Sequence, residues 1–245
     1  MTDPGSSPPR SGTLAGRAAV HRALGEPHRL AIAEELALTD RTPSQLSARL
    51  QIPANLLAHH LDVLESSGIV RRLVSEGDRR RRYVTLLDGV AGYLATGPST
   101  PWYGGIDTAG RVDTPAADVL FLCTANSARS PYAAAVWRRR TGGMARSAGA
   151  APAPVVDPTA VAVGARRGVD LADHRPTGVD VGAEPPTLQV TVCDRAQEDG
   201  VPFATPVLHW SVPDPVGSSS DSFEAAFDAI EARVEVLARH VRVTA

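Results

Sequence analysis

The 245-residue sequence contains no lysine, so all 25 of its fixed cations are guanidinium groups. It holds two cysteines, Cys123 and Cys193, too few for a disulfide framework. No apolar run reaches the roughly 18 residues that a membrane-spanning helix needs. The opening stretch MTDPGSSPPRSG lacks the apolar segment of an export signal, so a cytoplasmic location is expected and residues 1–14 read as a disordered tail. The formal net charge of −2 conceals an uneven distribution. Residues 1–100 carry 12 arginines against 10 acids, and residues 101–245 carry 13 against 17. Six of the first-half arginines lie between Arg71 and Arg82.

What is present divides the chain in two. Residues 96–116, rich in Gly, Pro, Ser and Thr and without periodicity, read as a linker. Residues 15–95 before it show helical patterns that end in one hairpin. Residues 117–245 after it alternate strands and helices, which predicts an α/β domain around a parallel sheet.

In the first half, EPHRLAIAEELALTD places Pro27 in a first helical turn, where its missing N–H costs least. RTPSQLSARL opens with Thr42 and Gln45 in a capping-box pattern. ANLLAHHLDVLESSG carries Leu57, Leu61 and Leu64 at helical spacing and stops at Gly68. VRRLVSEGDRRRRYVTL then reads as two strands folded about Glu76, Gly77 and Asp78. Helix, turn, helix and basic hairpin resemble the winged helix-turn-helix of ArsR-type bacterial regulators. The resemblance implies a mainly α fold with a β-hairpin wing, a homodimer and double-stranded DNA as partner. In it Asn55, His59 and His60 lie on the outward face of a recognition helix in the major groove, and the wing residues Arg79, Arg80, Arg81 and Arg82 contact phosphates. Metal-sensing relatives carry cysteine pairs before the recognition helix, or histidines on the last helix. TPSQLSARL has no cysteine and LLDGVAGYLA no histidine, so no metal site is expected.

The second half opens with VLFLCTANSARSPYAAAVW. Val119 to Leu122 suit a central strand that Cys123 ends; Ser130 and Pro131 suit the start of a helix. The five residues between Cys123 and Arg129 must then curl at a helix N-terminus, where N–H groups and the helix dipole favour an anion. A thiolate there faces a guanidinium able to grip two oxyanion oxygens. Cys, five residues, Arg, Ser resembles the low-molecular-weight protein tyrosine phosphatase family. That family implies a three-layer α/β fold with a four-stranded parallel sheet. It also implies Cys123 as nucleophile, Arg129 as oxyanion clamp, and Asp214 of VLHWSVPDP as general acid. Thr124, Ala125, Asn126, Ser127, Ala128 and Ser130 then form the oxyanion loop. ARSAGA fits the second strand, VDPTAVAVGARRG a helix capped by Asp157 and stopped at Gly168, and DSFEAAFDAIEARVEVLARHV a last helix with Asp221 and Glu224 as capping box. Ala125 stands where the family usually has glycine, which implies strain if that position takes a positive φ.

Two features separate the family's chemistries. No aromatic residue follows Asp214-Pro215 to stack a phosphotyrosine ring, and HWSVPDP resembles arsenate reductases of this fold. In those reductases a second cysteine, here Cys193, attacks the thiol–arsenic adduct and forms a disulfide. A third cysteine seven residues on is replaced by Gly200, so an external reductant, thioredoxin or a small thiol, is implied, with no bound cofactor. Trp210 reads as a marker of the reductases or as core filling, and His174 as a surface loop residue. The resulting expectation is a DNA-binding regulator fused to a thiol-dependent arsenate reductase. The alternatives are a phosphomonoesterase, or a regulator whose second half only senses oxyanions.

Overall fold

The computed structural model describes residues 13–87, 89–94, 112–115 and 118–244. Residues 1–12 of the tail expected at 1–14, and most of the linker expected at 96–116, lie outside them. The chain divides into two units.

The helical unit begins with α1 (Leu14–Leu24), capped by the Thr13 hydroxyl, so Thr13 and Leu14, expected in the tail, belong to a capped helix. It continues through α2 (Pro27–Leu36), α3 (Pro43–Leu50) and α4 (Ala54–Ser66). Strands β1 (Val70–Val74) and β2 (Arg82–Leu86) pair antiparallel, and a short α5 (Ala91–Leu94) follows. The local signals act as expected. Pro27 is in the first turn of α2, and Thr42 and Gln45 complete both halves of the capping box on α3. Gly68, at φ 68°, ends α4 in the left-handed region that glycine enters without strain. Ile32, Leu36, Leu46, Ile52, Leu57, Leu61, Leu64 and Val84 form one continuous core. Each such aliphatic side chain contributes roughly 1.5–3 kcal/mol on burial. Two acidic side chains lie within this unit's interior among the described residues, Asp40 and Glu35, and the Glu35 carboxylate is paired with Arg41 at 2.9 Å and Arg49 at 2.8 Å.

The second unit comprises the elements from β3 onward together with residues 75–79. Its elements are β3 (Val112–Pro115), β4 (Val119–Cys123), α6 (Arg129–Thr141), β5 (Ala145–Gly149), α7 (Pro158–Arg166), β6 (Leu188–Thr191), α8 (Asp194–Glu198), β7 (Val207–His209), α9 (Ser220–His240) and β8 (Val241–Thr244). Four strands form one parallel sheet in the order β5-β4-β6-β7. Every residue of β4 is buried. Leu120 and Leu122 pack with Ala148, Val179, Val201 and Phe203 on one face. Phe121 points the other way, its ring 5.9 Å from Trp210, which is 1% exposed and fills core. Helices α6 and α9 join through Tyr132 and Phe227, stacked at 3.6 Å.

Three local readings are corrected. Residues 112–115, assigned to the linker, form β3 and pair in parallel with β8. The last helix stops at His240, so Val241 lies in that strand rather than on the helix's apolar face. The last helix starts at Ser220, so Asp221 lies in its first turn rather than at the cap expected of it, and the Glu224 carboxylate binds Arg166 and Arg167, both at 2.7 Å.

Candidate active site and a candidate nucleic-acid interface

Cys123 is the last residue of β4 and Arg129 the first of α6, so the intervening loop must reverse the chain between a buried strand and a helix. Its shape is held from outside. The carbonyls of Cys123, Thr124, Ala125 and Ser127 accept hydrogen bonds from the N–H groups of Ala150, Ala151, Ala153 and Asp157. Turning those carbonyls outward turns the opposed peptide N–H groups inward, at the positive end of the α6 dipole. One of them, Asn126 N–H, donates to Cys123 Sγ at 3.2 Å. Ser130 Oγ lies 3.0 Å from the same sulfur. Helix α6 has Ala128 as its cap residue with no side-chain cap, so Ser130 serves the sulfur instead of the helix end.

The strained position is Asn126, not Ala125. Among the described residues only Gln51 and Asn126 are non-glycine residues with positive φ, 54° and 50°. Asparagine tolerates that region well. Its buried side chain uses every hydrogen-bonding position: Nδ2 donates to Ser130 at 2.9 Å and Ser147 at 3.0 Å. Oδ1 accepts from Thr177 N–H at 2.9 Å and lies 3.0 Å from His174 Nε2. His174 therefore braces the loop rather than sitting idle on the surface. Burial pushes its pKa down, with Arg138 and Arg175 adding to the effect.

A pocket of about 370 Å³ opens over the sulfur. Cys123, Thr124, Ala125, Ser127, Ala128, Arg129, Cys193 and Asp214 line it; Asn126 and Ser130, expected to bind the anion, stand behind the wall. Arg195, absent from the sequence reading, also lines it. Arg129 donates to the Val212 carbonyl at 2.8 Å and pairs with Asp214 at 3.0 Å. It also meets Glu76, in the segment 75–79 of this unit, at 3.1 Å. Burial works against its charge, but Cys193, Asp214, Cys123 and Glu76 together hold its pKa above the usual arginine value.

Cys193 caps α8, its sulfur accepting from Ala196 N–H at 3.4 Å and lying 3.6 Å from Thr124 Oγ1. Burial pushes its thiol pKa up, against the pull of Arg129. Neither cysteine is in a disulfide. Next to Cys193, the buried Asp194 carboxylate meets His209 Nε2 at 3.1 Å, and His209 Nδ1 meets Thr191 Oγ1 at 2.9 Å. Burial pushes Asp194 up, but hydrogen bonds from His209 and Ser211 outweigh it and hold the carboxyl below its usual value.

In the helical unit, Asn55 and His59 are exposed on α4, as expected for an outward face. His60 is not: at 5% exposure it shares the inward face with Leu57, Leu61 and Leu64. Its spacing of three from Leu57 and four from Leu64 already marks that face. Arg79, Arg80, Arg81 and Arg82 are all exposed. The last three, with Thr42 to Gln45 at the start of α3, line a shallow cavity of about 550 Å³. Donor atoms of Glu26, His28 and His60, none of them singled out as ligands in the sequence, lie within 4.8 Å of one another in this half.

Comparison with known proteins adds the family. A model described as low molecular weight phosphotyrosine protein phosphatase matches residues 118–244, and a helix-turn-helix domain model matches residues 24–72. An arsenate reductase from Brevibacillus brevis is 34% identical over 127 residues, 49% of this chain and 92% of that protein. Among solved structures, an arsenate reductase from Archaeoglobus fulgidus is 32% identical, with a TM-score of 0.43, over 49% of this chain and 97% of its own. The tyrosine phosphatase Wzb from Escherichia coli K30, in complex with sulphate, is 23% identical, with a TM-score of 0.47, over 50% of this chain and 96% of its own. Carrying Cys123, Arg129 and Asp214 around one pocket, and matched across half its length, the chain belongs to the low molecular weight phosphotyrosine protein phosphatase family.

Proposed function

We propose that the second unit reduces arsenate with thiol electrons and that the helical unit binds double-stranded DNA. The observation that supports the first reading is the presence of two free cysteines, Cys123 and Cys193, on one pocket with Arg129 and Asp214. Resemblance to the Brevibacillus brevis arsenate reductase points the same way.

Cys123 thiolate attacks arsenic, an S–As bond forms, and an oxygen leaves as water after protonation, with Asp214 as the acid. Arg129 and the loop N–H groups hold the oxyanion charge. Cys193 then attacks Cys123 Sγ. The S–As electron pair passes to arsenic, reducing As(V) to As(III), while the two thiols are oxidised to a disulfide. An external thiol or dithiol, such as thioredoxin, reduces that disulfide and completes the cycle. A raised Cys193 pKa suits this order, since it keeps the second thiol protonated until the adduct has formed.

Incubation of the full chain with arsenate and a series of thiol donors, with arsenite as readout, tests the reading. Arsenite should appear, vanish in Cys123→Ser, and fail to turn over in Cys193→Ser. Hydrolysis of aryl phosphates without arsenite would instead identify a phosphomonoesterase. For the helical unit, the exposed Asn55 and His59 and the arginine-lined cavity support DNA contact, and a duplex-binding assay on the full chain tests it.

A further inference from the structure

We propose that Glu26, His28 and His60 form a binding site for a borderline divalent cation of the Zn²⁺ class within the helical unit. The three come from two elements: Glu26 caps α2, His28 lies in its first turn, and His60 is in the middle of α4. One donor atom from each lies within 4.8 Å of the others. Glu26 Oε1 is 2.9 Å from His28 Nδ1, and Glu26 Oε2 is 3.5 Å from His60 Nδ1. The two imidazoles stack with centroids 5.3 Å apart and planes 23° apart.

A helix cap beside a histidine is not by itself a site. The independent observation is His60: its ring is buried, and neither ring nitrogen has a hydrogen-bond partner. A neutral imidazole carries one N–H and one bare nitrogen, and leaving such a group unsatisfied in the interior costs about 1–3 kcal/mol. A cation bound to the bare nitrogen removes that cost for the acceptor. Binding of such a cation requires neutral imidazoles and an ionised carboxylate. Burial, together with the charges of His28, Arg29 and His59, keeps the His60 pKa below its ordinary value despite Glu26. Burial pushes Glu26 up, but N–H groups of Arg29 and His28 and the two imidazoles hold it down at about 2. Two imidazoles and one carboxylate suit Zn²⁺, Co²⁺ or Ni²⁺, with water completing a tetrahedron. Arg29, 4.0 Å from Glu26, is a cation that opposes occupancy.

Such a cation ties the start of α2 to the middle of α4, the helix that also presents Asn55 and His59 outward. Occupancy therefore fixes the helix to which DNA contact is assigned above, although cation binding itself stands independently of that assignment.

The test uses the untagged full chain carrying Cys123→Ser and Cys193→Ser, so that thiolates do not compete for metal. Titration with Co²⁺ should give one equivalent bound, with d–d bands of a nitrogen and oxygen set and no thiolate charge transfer. Zn²⁺ should displace it and raise the thermal midpoint. His28 is half exposed, so His28→Ala should leave the fold intact by circular dichroism. It should weaken Co²⁺ binding more than tenfold and abolish the Zn²⁺ shift; His60→Gln should do the same. Absence of saturable binding, or an affinity unchanged by His28→Ala, would overturn the proposal.

Discussion

Gly149 faces the Thr124 carbonyl so closely that a Cβ built on it would lie 2.5 Å from that oxygen, and 2.9 Å from Asn126 N. Both neighbours are backbone of the loop that carries Cys123, so neither can swing aside. Gly149→Ala must therefore push the loop off its position while leaving every pocket side chain unchanged. Displacement of about 1 Å in a preorganised site costs on the order of a hundredfold in rate. We expect Gly149→Ala to lower turnover by about that factor with little change in secondary structure, measured by steady-state kinetics and circular dichroism.

Asn126 joins four neighbours, Ser130, Ser147, His174 and Thr177, through one amide. Asn126→Ala deletes these bonds inside the fold and places an alanine at φ 50°. A loss of about 2–4 kcal/mol is expected in chemical denaturation of the second unit. Asn126→Gly removes the same bonds without the positive-φ penalty and should be the milder change. Equal destabilisation by both would show that the bonds alone matter.

Cys193 is a test of order as well as of ionisation. Its thiol pKa is pushed up by burial, so the folded protein holds that proton more tightly than the unfolded chain does. This contribution to stability is complete below the unfolded value, about 8.5, and is lost as pH rises through the folded one. Alkylation of Cys193 in the native state should show a midpoint above about 8.5 and disappear in Cys193→Ser. Mass spectrometry of iodoacetamide-treated protein across pH measures it. A midpoint below the ordinary value would contradict the protected resting thiol.

Glu35 is the buried member of a three-residue ion pair with Arg41 and Arg49. Either arginine alone still faces the carboxylate, so a single substitution weakens the pairing and only the double substitution strands the charge. Arg41 is 18% exposed against 38% for Arg49, so its pairing is less screened by water and Arg41→Ala should cost more than Arg49→Ala. Removing both should destabilise the helical unit by about 3–5 kcal/mol, the usual penalty for stranding a buried charge. Urea unfolding followed by helix signal distinguishes the three variants.

The features legible in the sequence were those whose cause is local. Thr42 with Gln45, Asp157 before Pro158, and the run from Cys123 to Ser130 each announce a structure made by neighbours within a few residues. Helix and strand order in the second half followed from such signals, as did the parallel sheet. Contacts between distant positions left no pattern. His174 meets Asn126 across 48 positions, and β3 pairs with a strand near the other end of the unit. Glu26 and His60 belong to this group as well, since nothing near either residue reveals the other. His60 itself was readable, because its spacing from Leu57 and Leu64 places it inward, and only the resemblance to a recognition helix placed it outward.

Arg80, Arg81 and Arg82 frame a cavity with the first turn of α3, where N–H groups and guanidinium groups both favour phosphate. Contacts of this kind give affinity without sequence preference, and each neutralised phosphate releases counterions. Replacing all three by alanine should therefore weaken specific and non-specific duplexes alike. The slope of log affinity against log salt should become shallower by about 2–3, at roughly 0.9 per lost phosphate contact. Replacing Asn55 and His59, on the exposed side of α4, should instead reduce discrimination between sequences and leave the salt slope nearly unchanged. Fluorescence anisotropy with two duplexes at several salt concentrations separates the two effects. A salt slope untouched by the triple arginine substitution would place the phosphate contacts elsewhere on the unit.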